Sequence, residues 1–202
     1  MLIKWFKEGA ITNTAGKKLE DVEISLKHKH TIMERIWSSE KIALPEKEAL
    51  MEELKKLDKS DWLDNTMKVC ESSHPGNKEK MWELYFKKDS EIEKWGLRSY
   101  QMSFRGFNQV GHRQYLEKFE DDFFAKIEGI VESKGRFVAE AYYHTLKPTV
   151  KCDDAFIKKY EDLLAHVKKT KPDNTFFINM LKDTITDLKV KQKGVKCSEE
   201  YI

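Results

Sequence analysis

The residues best suited to chemistry in this chain are two arginines and two glutamines that recur at steps of three and four positions. They are Arg98, Gln101, Arg105 and Gln109. Residues three and four apart share one face of an α-helix, so these side chains are expected to point the same way if the helix continues through Gly106. Arginine has a planar fork that grips a carboxylate with two hydrogen bonds. The stripe therefore predicts a substrate-binding surface for carboxylates.

Arginine is also unevenly distributed along the chain. Four of the five arginines lie between Arg98 and Arg136, whereas lysine serves the predicted surface elsewhere. A purely structural role remains open, because most arginine pairs in helical proteins stabilise the fold or contribute little. In that interpretation Arg98 and Arg105 pair with carboxylates on neighbouring helices, such as Glu91, Glu117 or Asp121.

Small and apolar residues form a second stripe along the same segment and predict its buried face. They are Ile92, Trp95, Ser99, Met102 and Gly106. Ser99 and Gly106 are small enough to let a neighbouring element approach closely. Trp62, Trp82 and Trp95 are expected to anchor the core, because burial of their aromatic area is favourable.

Composition favours an all-α protein and argues against several functions. Charged residues make up 36% and hydrophobic residues 40%, with only 9 Gly and 4 Pro in 202 residues. The net charge of +2 does not favour binding to nucleic acid or to an anionic membrane surface. No stretch approaches the roughly 20 apolar residues of a membrane helix, and three widely spaced cysteines are expected to be free thiols. These features predict a cytoplasmic protein.

The segment order predicts a single helical domain over residues 1–202. An edge helix, Leu2–Glu8, ends at Gly9 and leads through a loop at 11–16 into a helical array over 18–194, with a frayed tail at 195–202. Although alternating Val22 and Ile24 suggest a strand, the longer helical periodicity favours a helix over 18–38. Consecutive helices joined by short links predict antiparallel pairs stacked as a HEAT- or armadillo-like α-solenoid.

Several motifs in this segment order resemble the C-terminal helical domain of the gluzincin zinc aminopeptidases, of the aminopeptidase N, puromycin-sensitive and endoplasmic-reticulum type. The similarity covers about Trp5 to Leu188 and consists of helix-packing motifs. These motifs are Asp58-Lys59-Ser60-Asp61, Pro75 with Lys80-Met81-Trp82, Ser99 with Met102-Ser103 and Gly106-Phe107-Asn108-Gln109, Tyr115-Leu116, Phe119, and Phe123-Phe124.

The resemblance implies a binding role without catalysis in this chain. The family holds zinc on an H-E-x-x-H motif and binds the substrate amine with a G-x-M-E-N segment, and neither occurs here. We therefore expect no catalytic residue, metal site or cofactor in this chain. In the family the helical domain closes over the catalytic domain and lines a chamber for the peptide. This implies that Arg98, Gln101, Arg105 and Gln109 lie at or near a chamber surface, while His112 stands where the family often has Gln.

Two hypotheses follow for function. In the first, the chain is such a C-terminal domain, and its partners are a catalytic domain and peptides. In the second, it is a free-standing helical scaffold that binds a protein partner. The discriminating feature is the apolar edge Leu2–Phe6, which is covered by its own chain in a scaffold and left open for further helices in a detached domain.

Overall fold

The computed structural model describes residues 1–12, 17–109, 111–148 and 151–199. Within these residues the chain is predominantly helical, as predicted, and it has one two-stranded antiparallel hairpin. The strands are β1 (Ala10–Thr12) and β2 (Lys18–Glu23). The α-helices are α1 (Leu2–Glu8), α2 (Leu26–Ser38), α3 (Leu44–Leu57), α4 (Asp61–Ser73), α5 (Lys78–Phe86), α6 (Leu97–Phe107), α7 (Arg113–Glu117), α8 (Glu120–Ser133), α9 (Arg136–Leu146), α10 (Asp154–Thr170) and α11 (Thr175–Glu199). Short 3-10 helices occupy Pro75–Asn77 and Glu91–Lys94.

The prediction of one helix over 18–38 is wrong in its first third. Residues Lys18–Glu23 form β2, which pairs with β1, and α2 begins only at Leu26. The boundary is set by Ser25, which caps α2 in a reciprocal capping box with His28. A side chain that satisfies the first amides of a helix fixes its start, so the residues before it are free to pair as a strand.

Several helix ends follow the local chemistry of the sequence, and the predicted end of α1 at Gly9 is confirmed. Gly9 ends α1 with a positive φ of 66°, a conformation that glycine adopts without steric cost. Pro45 stands in the first turn of α3. Ser60 and Asp153 cap α4 and α10 through hydrogen bonds to backbone N–H groups.

Two helix ends differ from the prediction. The expected long helix around Leu116–Ile130 is divided into α7 and α8. At the other end, α11 continues through Gly194 to Glu199. A glycine inside an exposed helix costs only about 1 kcal/mol, which does not by itself end the helix. The predicted loop at 11–16 is wrong for Ile11 and Thr12, which belong to β1. Its remaining residues, 13–16, and the last residues of the predicted tail, 200–202, lie outside the described residues.

The chain divides into two compact units, and the first comprises residues 1–115 with 136–146. One part of its core is aliphatic and includes Met33, Ile36, Leu50 and Leu54. Phe6 joins this cluster at 1% exposure, and Leu2, Ile3 and Trp5 pack against it partly buried. The apolar face of α1 is thus covered by its own chain.

The other part of the first unit's core is aromatic. Tyr85 lies edge-on to Phe104 and Phe107, with ring centroids 4.8 and 5.4 Å apart. The Tyr142 hydroxyl donates to the Tyr85 carbonyl at 2.7 Å, and the hydroxyls of Tyr85 and Ser103 are 2.7 Å apart. Buried aromatic rings with satisfied hydroxyls join α5, α6 and α9.

The second unit comprises residues 116–135 with 147–202. Its core contains side chains from α8, α10 and α11, among them Phe123, Ile127, Phe156, Phe177 and Leu181. The Tyr160 hydroxyl donates to the Pro148 carbonyl at 3.0 Å. At the surface, Lys159 donates to carboxylate oxygens of Glu120 and Asp121, which ties α10 to the start of α8.

Gly106 is the point of closest approach between α4 and α6, the most extensive helix–helix contact among the described residues. A Cβ atom at this position meets the Val69 carbonyl oxygen and the Ser72 hydroxyl oxygen, both at 2.2 Å. The prediction that Gly106 permits a close approach is confirmed. The atom that blocks a larger side chain is part of the α4 backbone, so it cannot turn aside.

Lys78 joins the ends of the same two helices although it is only 1% exposed. Its Nζ donates to the carbonyls of Ser72 at 2.8 Å, Phe107 at 2.7 Å and Gly106 at 3.4 Å. The last carbonyls of a helix have no partner within that helix, and a cation suits their partial negative charge. Burial lowers the pKa of the Lys78 amine to about 7.

Lys47 plays the corresponding part at the end of α2, although charged residues of an amphipathic helix usually lie on its solvated face. The side chain is 1% exposed, and its Nζ donates to the carbonyls of Trp37 at 3.0 Å and Ser39 at 2.6 Å. The apolar stem of a lysine is buried readily when its ammonium finds such acceptors.

We expect the substitution Gly106→Ala to lower the free energy of unfolding by about 2 kcal/mol or more, because overpacking against a fixed backbone forces the helices apart. Gly129→Ala is the matched control, since a Cβ there meets no atom within 4 Å. It is expected to be neutral or to stabilise α8 by up to about 1 kcal/mol. Chemical denaturation followed by circular dichroism measures both, and equal stability of the two variants contradicts the close approach.

We expect the free energy of unfolding of the wild type to rise relative to that of Lys78→Met as the pH rises from 7 to 10. In that range the unfolded lysine still holds its proton while the folded one has lost it. Unfolding then takes up a proton, so the wild type gains up to about 1.4 kcal/mol per pH unit, and the methionine variant lacks this gain.

Lys80→Met is the control on the same helix, because its hydrogen bond to Glu71 raises the pKa of Lys80. Lys80 therefore stays protonated over this range in both states. Urea denaturation at several pH values measures the three proteins. If the free energies of unfolding of the wild type and Lys78→Met change with pH in parallel, the lowered pKa of Lys78 is refuted.

Candidate carboxylate-binding site

A pocket of about 170 Å³ opens between α2, α4 and α6 in the first unit. Two of the four predicted site residues, Arg98 and Arg105, line it together. The remaining lining residues are Glu34 from α2, Trp62, Asn65 and Thr66 from α4, and Met102 from α6. The pocket thus combines two cations with an apolar wall and several hydrogen-bonding groups.

Helix geometry and the close contact at Gly106 bring the two arginines to the pocket. Arg98 and Arg105 are seven residues apart on α6, which corresponds to two turns, and Met102 lies between them on the same face. This face lies toward α4, against which Gly106 packs without a side chain. The two guanidinium groups are therefore placed by a rigid helix rather than by a loop.

The two arginines differ in their partners. Arg105 donates to the Glu34 carboxylate in an ion pair, whereas the sequence suggested Glu91, Glu117 or Asp121 as structural partners. Arg98 has no hydrogen bond or ion pair with any of the residues that the structure describes. Its exposed guanidinium is consequently available to a ligand.

Glu34 is the inner member of the ion pair. Its side chain is 13% exposed, against 52% for Arg105. Burial raises the pKa of Glu34, and the nearby Arg105 and Arg35 guanidinium groups oppose this rise. A carboxylate that has lost most of its water depends on its cationic partners to remain ionised.

A second polar cluster fixes α2 against α4 at the back of the pocket. His30 donates from Nε2 to the Asp58 carboxylate at 2.9 Å, and its Nδ1 lies 2.8 Å from the Thr66 hydroxyl. Asp58 also accepts from the backbone N–H and the hydroxyl of Ser60. These bonds, those from Ser60 above all, lower the pKa of Asp58. The cap of α4 and the position of α2 are therefore linked.

The two glutamines of the predicted stripe do not line the pocket. Gln101 is exposed on α6. Gln109 is buried beyond the end of α6, where its Oε1 accepts from Arg35 at 2.6 Å and its Nε2 donates to the Arg105 carbonyl at 3.2 Å. His112 is also buried and donates from Nε2 to the Ser38 carbonyl at 2.8 Å. Gln109 and His112 are thus used to hold α2 and the segment after α6 together.

Trp62 and Glu34 are pocket residues that the sequence did not indicate. Trp62, expected in the core, is 52% exposed at the first turn of α4, so that prediction is wrong. Glu34 follows the buried His30 by four residues and shares its helix face, which is the one local signal for its position. Its partner on α6 is 71 residues away in sequence and has no local signal.

The described lining of the pocket offers two guanidinium groups and one hydroxyl, that of Thr66. His30, the imidazole at that hydroxyl, is 2% exposed. Among the described residues, no cluster of three or more His, Cys, Asp and Glu side chains is placed to hold a metal ion. In the same part of the chain, none of the helices has the length and apolar character needed to cross a membrane.

Comparison with known proteins adds no assignment. No family model matches the chain, and no curated protein is significantly similar to it. The resemblance to the aminopeptidase helical domain therefore stays a prediction from the motifs in the sequence.

Proposed function

We propose that the chain acts as a C-terminal helical domain of the zinc aminopeptidase type, without catalysis of its own. In this role it shapes substrate access and binds the body or the C-terminus of a peptide for a catalytic domain on another stretch of chain. The observation that carries the proposal is the open pocket in which Arg98 and Arg105 meet Trp62 and Met102. Two guanidinium groups beside an apolar wall suit a terminal carboxylate and the side chain next to it.

The packing of the motif residues supports this proposal. Met81 and Trp82 are buried in α5, and Gly106 and Phe107 are buried at the end of α6. Four of the residues on which the resemblance rests thus belong to the packed core around α6. The proposal extends to the arrangement of the helices as HEAT- or armadillo-like stacked pairs and to a cytoplasmic location. The latter is supported by three free cysteines.

A second candidate function is a free-standing helical scaffold that binds a protein partner. The observation in its favour is the burial of Phe6 under α2, because the apolar edge of α1 is covered by its own chain. The half-exposed Trp62 beside two arginines suits a protein partner as well, since Trp and Arg are the residues most enriched at binding hot spots.

We expect acetylated tripeptides with a free C-terminal carboxylate to bind the chain at least about tenfold more tightly than the same peptides as C-terminal amides. A charge-assisted hydrogen bond contributes about 1.5–3 kcal/mol, which corresponds to this ratio. Arg98→Ala is expected to remove the preference, whereas Arg136→Ala, an exposed arginine on α9 outside the pocket, is expected to keep it. Isothermal titration calorimetry measures the affinities. Equal binding of acids and amides argues against a carboxylate site.

We expect the purified chain to release no product from aminoacyl fluorogenic substrates with zinc. When it is mixed with the catalytic portion of a related aminopeptidase, the rate or the preferred peptide length is expected to change. Activity of the chain alone contradicts the absence of a catalytic site. Inactivity alone together with no effect in the mixture favours the scaffold function.

A further inference from the structure

The ion pair inside the pocket places a carboxylate of the protein where a ligand carboxylate would bind. Glu34 reaches from α2 to the guanidinium of Arg105 on α6, and both residues line the pocket. Glu34 accepts from the Nη2 group of Arg105, so a ligand carboxylate that uses the same N–H group competes with Glu34. Arg98, the other arginine of the pocket, has no such partner among the described residues.

The exposures of the two partners show which group a ligand can reach. Arg105 is 52% exposed and Glu34 is 13% exposed. The arginine side chain is therefore accessible to solvent, whereas the glutamate that binds it is largely buried. A ligand carboxylate can therefore approach Arg105 without first entering the core. Displacement of Glu34 leaves a largely buried carboxylate without this cationic partner, so the pair resists exchange.

We propose that Glu34 acts as an internal competitor that occupies Arg105 and weakens the binding of anionic ligands to the pocket. This inference rests on the proposed peptide-carboxylate function. A ligand bound at Arg98 reaches the Nη2 group of Arg105 only when Glu34 is displaced from it. The pocket thereby selects against ligands whose carboxylate cannot compete with Glu34 for Arg105. Glu34 thus sets the affinity of the pocket for a ligand that it need not contact.

The proposal predicts tighter binding in mild acid. Burial raises the pKa of Glu34 above that of an ordinary glutamate, whereas a peptide α-carboxylate has a pKa of about 3.3–3.7. As the pH falls, Glu34 takes up a proton before the ligand carboxylate does, which releases Arg105 while the ligand stays ionised. The titratable and charged groups around Glu34 are Arg105 and Arg98 from α6, Arg35 and His30 from α2, and Cys70 from α4. Burial raises the pKa of the Cys70 thiol, which therefore stays neutral as the pH falls.

The test compares the wild type with Glu34→Gln, using an acetylated tripeptide acid and its C-terminal amide from pH 5 to 8. At pH 7.5 we expect Glu34→Gln to bind the acid about tenfold more tightly, which follows if Glu34 occupies Arg105 about nine-tenths of the time. The advantage is expected to shrink toward pH 5 because the wild type improves and the variant does not.

Glu71→Gln is the matched control, since it removes the same charge from α4 at an exposed pair with Lys80 outside the pocket. If Glu71→Gln increases the affinity for the tripeptide acid as much as Glu34→Gln does, the effect is a long-range effect of charge, and the proposed competition by Glu34 is overturned. Equal affinity of wild type and Glu34→Gln also overturns it, although the preference for acid over amide then still supports the carboxylate site. Absence of binding to every protein overturns both proposals.

A second measurement does not depend on the folding of the variant. In the wild type labelled with ¹³C at glutamate carboxyls, the Glu34 resonance is expected to shift when the tripeptide acid is added and to stay when the amide is added. A Glu34 resonance that is unchanged at saturating acid overturns the displacement.

Discussion

The contact between α4 and α6 at Gly106 is the constraint on which the rest of the first unit depends. Because the Val69 carbonyl lies where a Cβ atom would stand, the two helices approach at the distance set by their backbones. The other contacts of α6 depend on this distance between α4 and α6. Phe104 and Phe107 reach the aromatic cluster of α5 and α9, and Arg98 and Arg105 reach the pocket beside α4. A wider spacing would change both the core and the site.

The ends of these helices are held by buried lysines rather than by caps from their own sequence. Lys78 binds the last carbonyls of α4 and α6, and Lys47 binds the end of α2. The carbonyls at a helix C-terminus need partners, and a lysine from the next helix supplies several donors at once. The same groups that satisfy the backbone therefore also fix the relative positions of consecutive helices.

The sequence predicts local features well and tertiary partners poorly. Gly9, Ser25 and Ser60 determine helix ends through their own backbone or through residues two or three positions away, and the predicted end at Gly9 is confirmed. For residues 18–23 the longer helical period predicts a helix, but α2 begins after its cap at Ser25 and these residues form β2. Of the site, the shared face of Arg98 and Arg105 follows from helix spacing alone. Glu34 and Trp62 could not be assigned, because their positions depend on contacts between α2, α4 and α6 that are distant in sequence.

The bonds from Lys47 have a consequence for the order of folding. Its acceptors, Trp37 and Ser39, are only ten and eight residues away, so the turn between α2 and α3 is closed by partners that are near in sequence. A loop of about ten residues closes in about 10–100 ns, far faster than contacts across a whole domain form. The α2–α3 hairpin is therefore suited to form early and to offer a preassembled surface. The Glu34–Arg105 pair spans 71 residues, and contacts of such long range form more slowly.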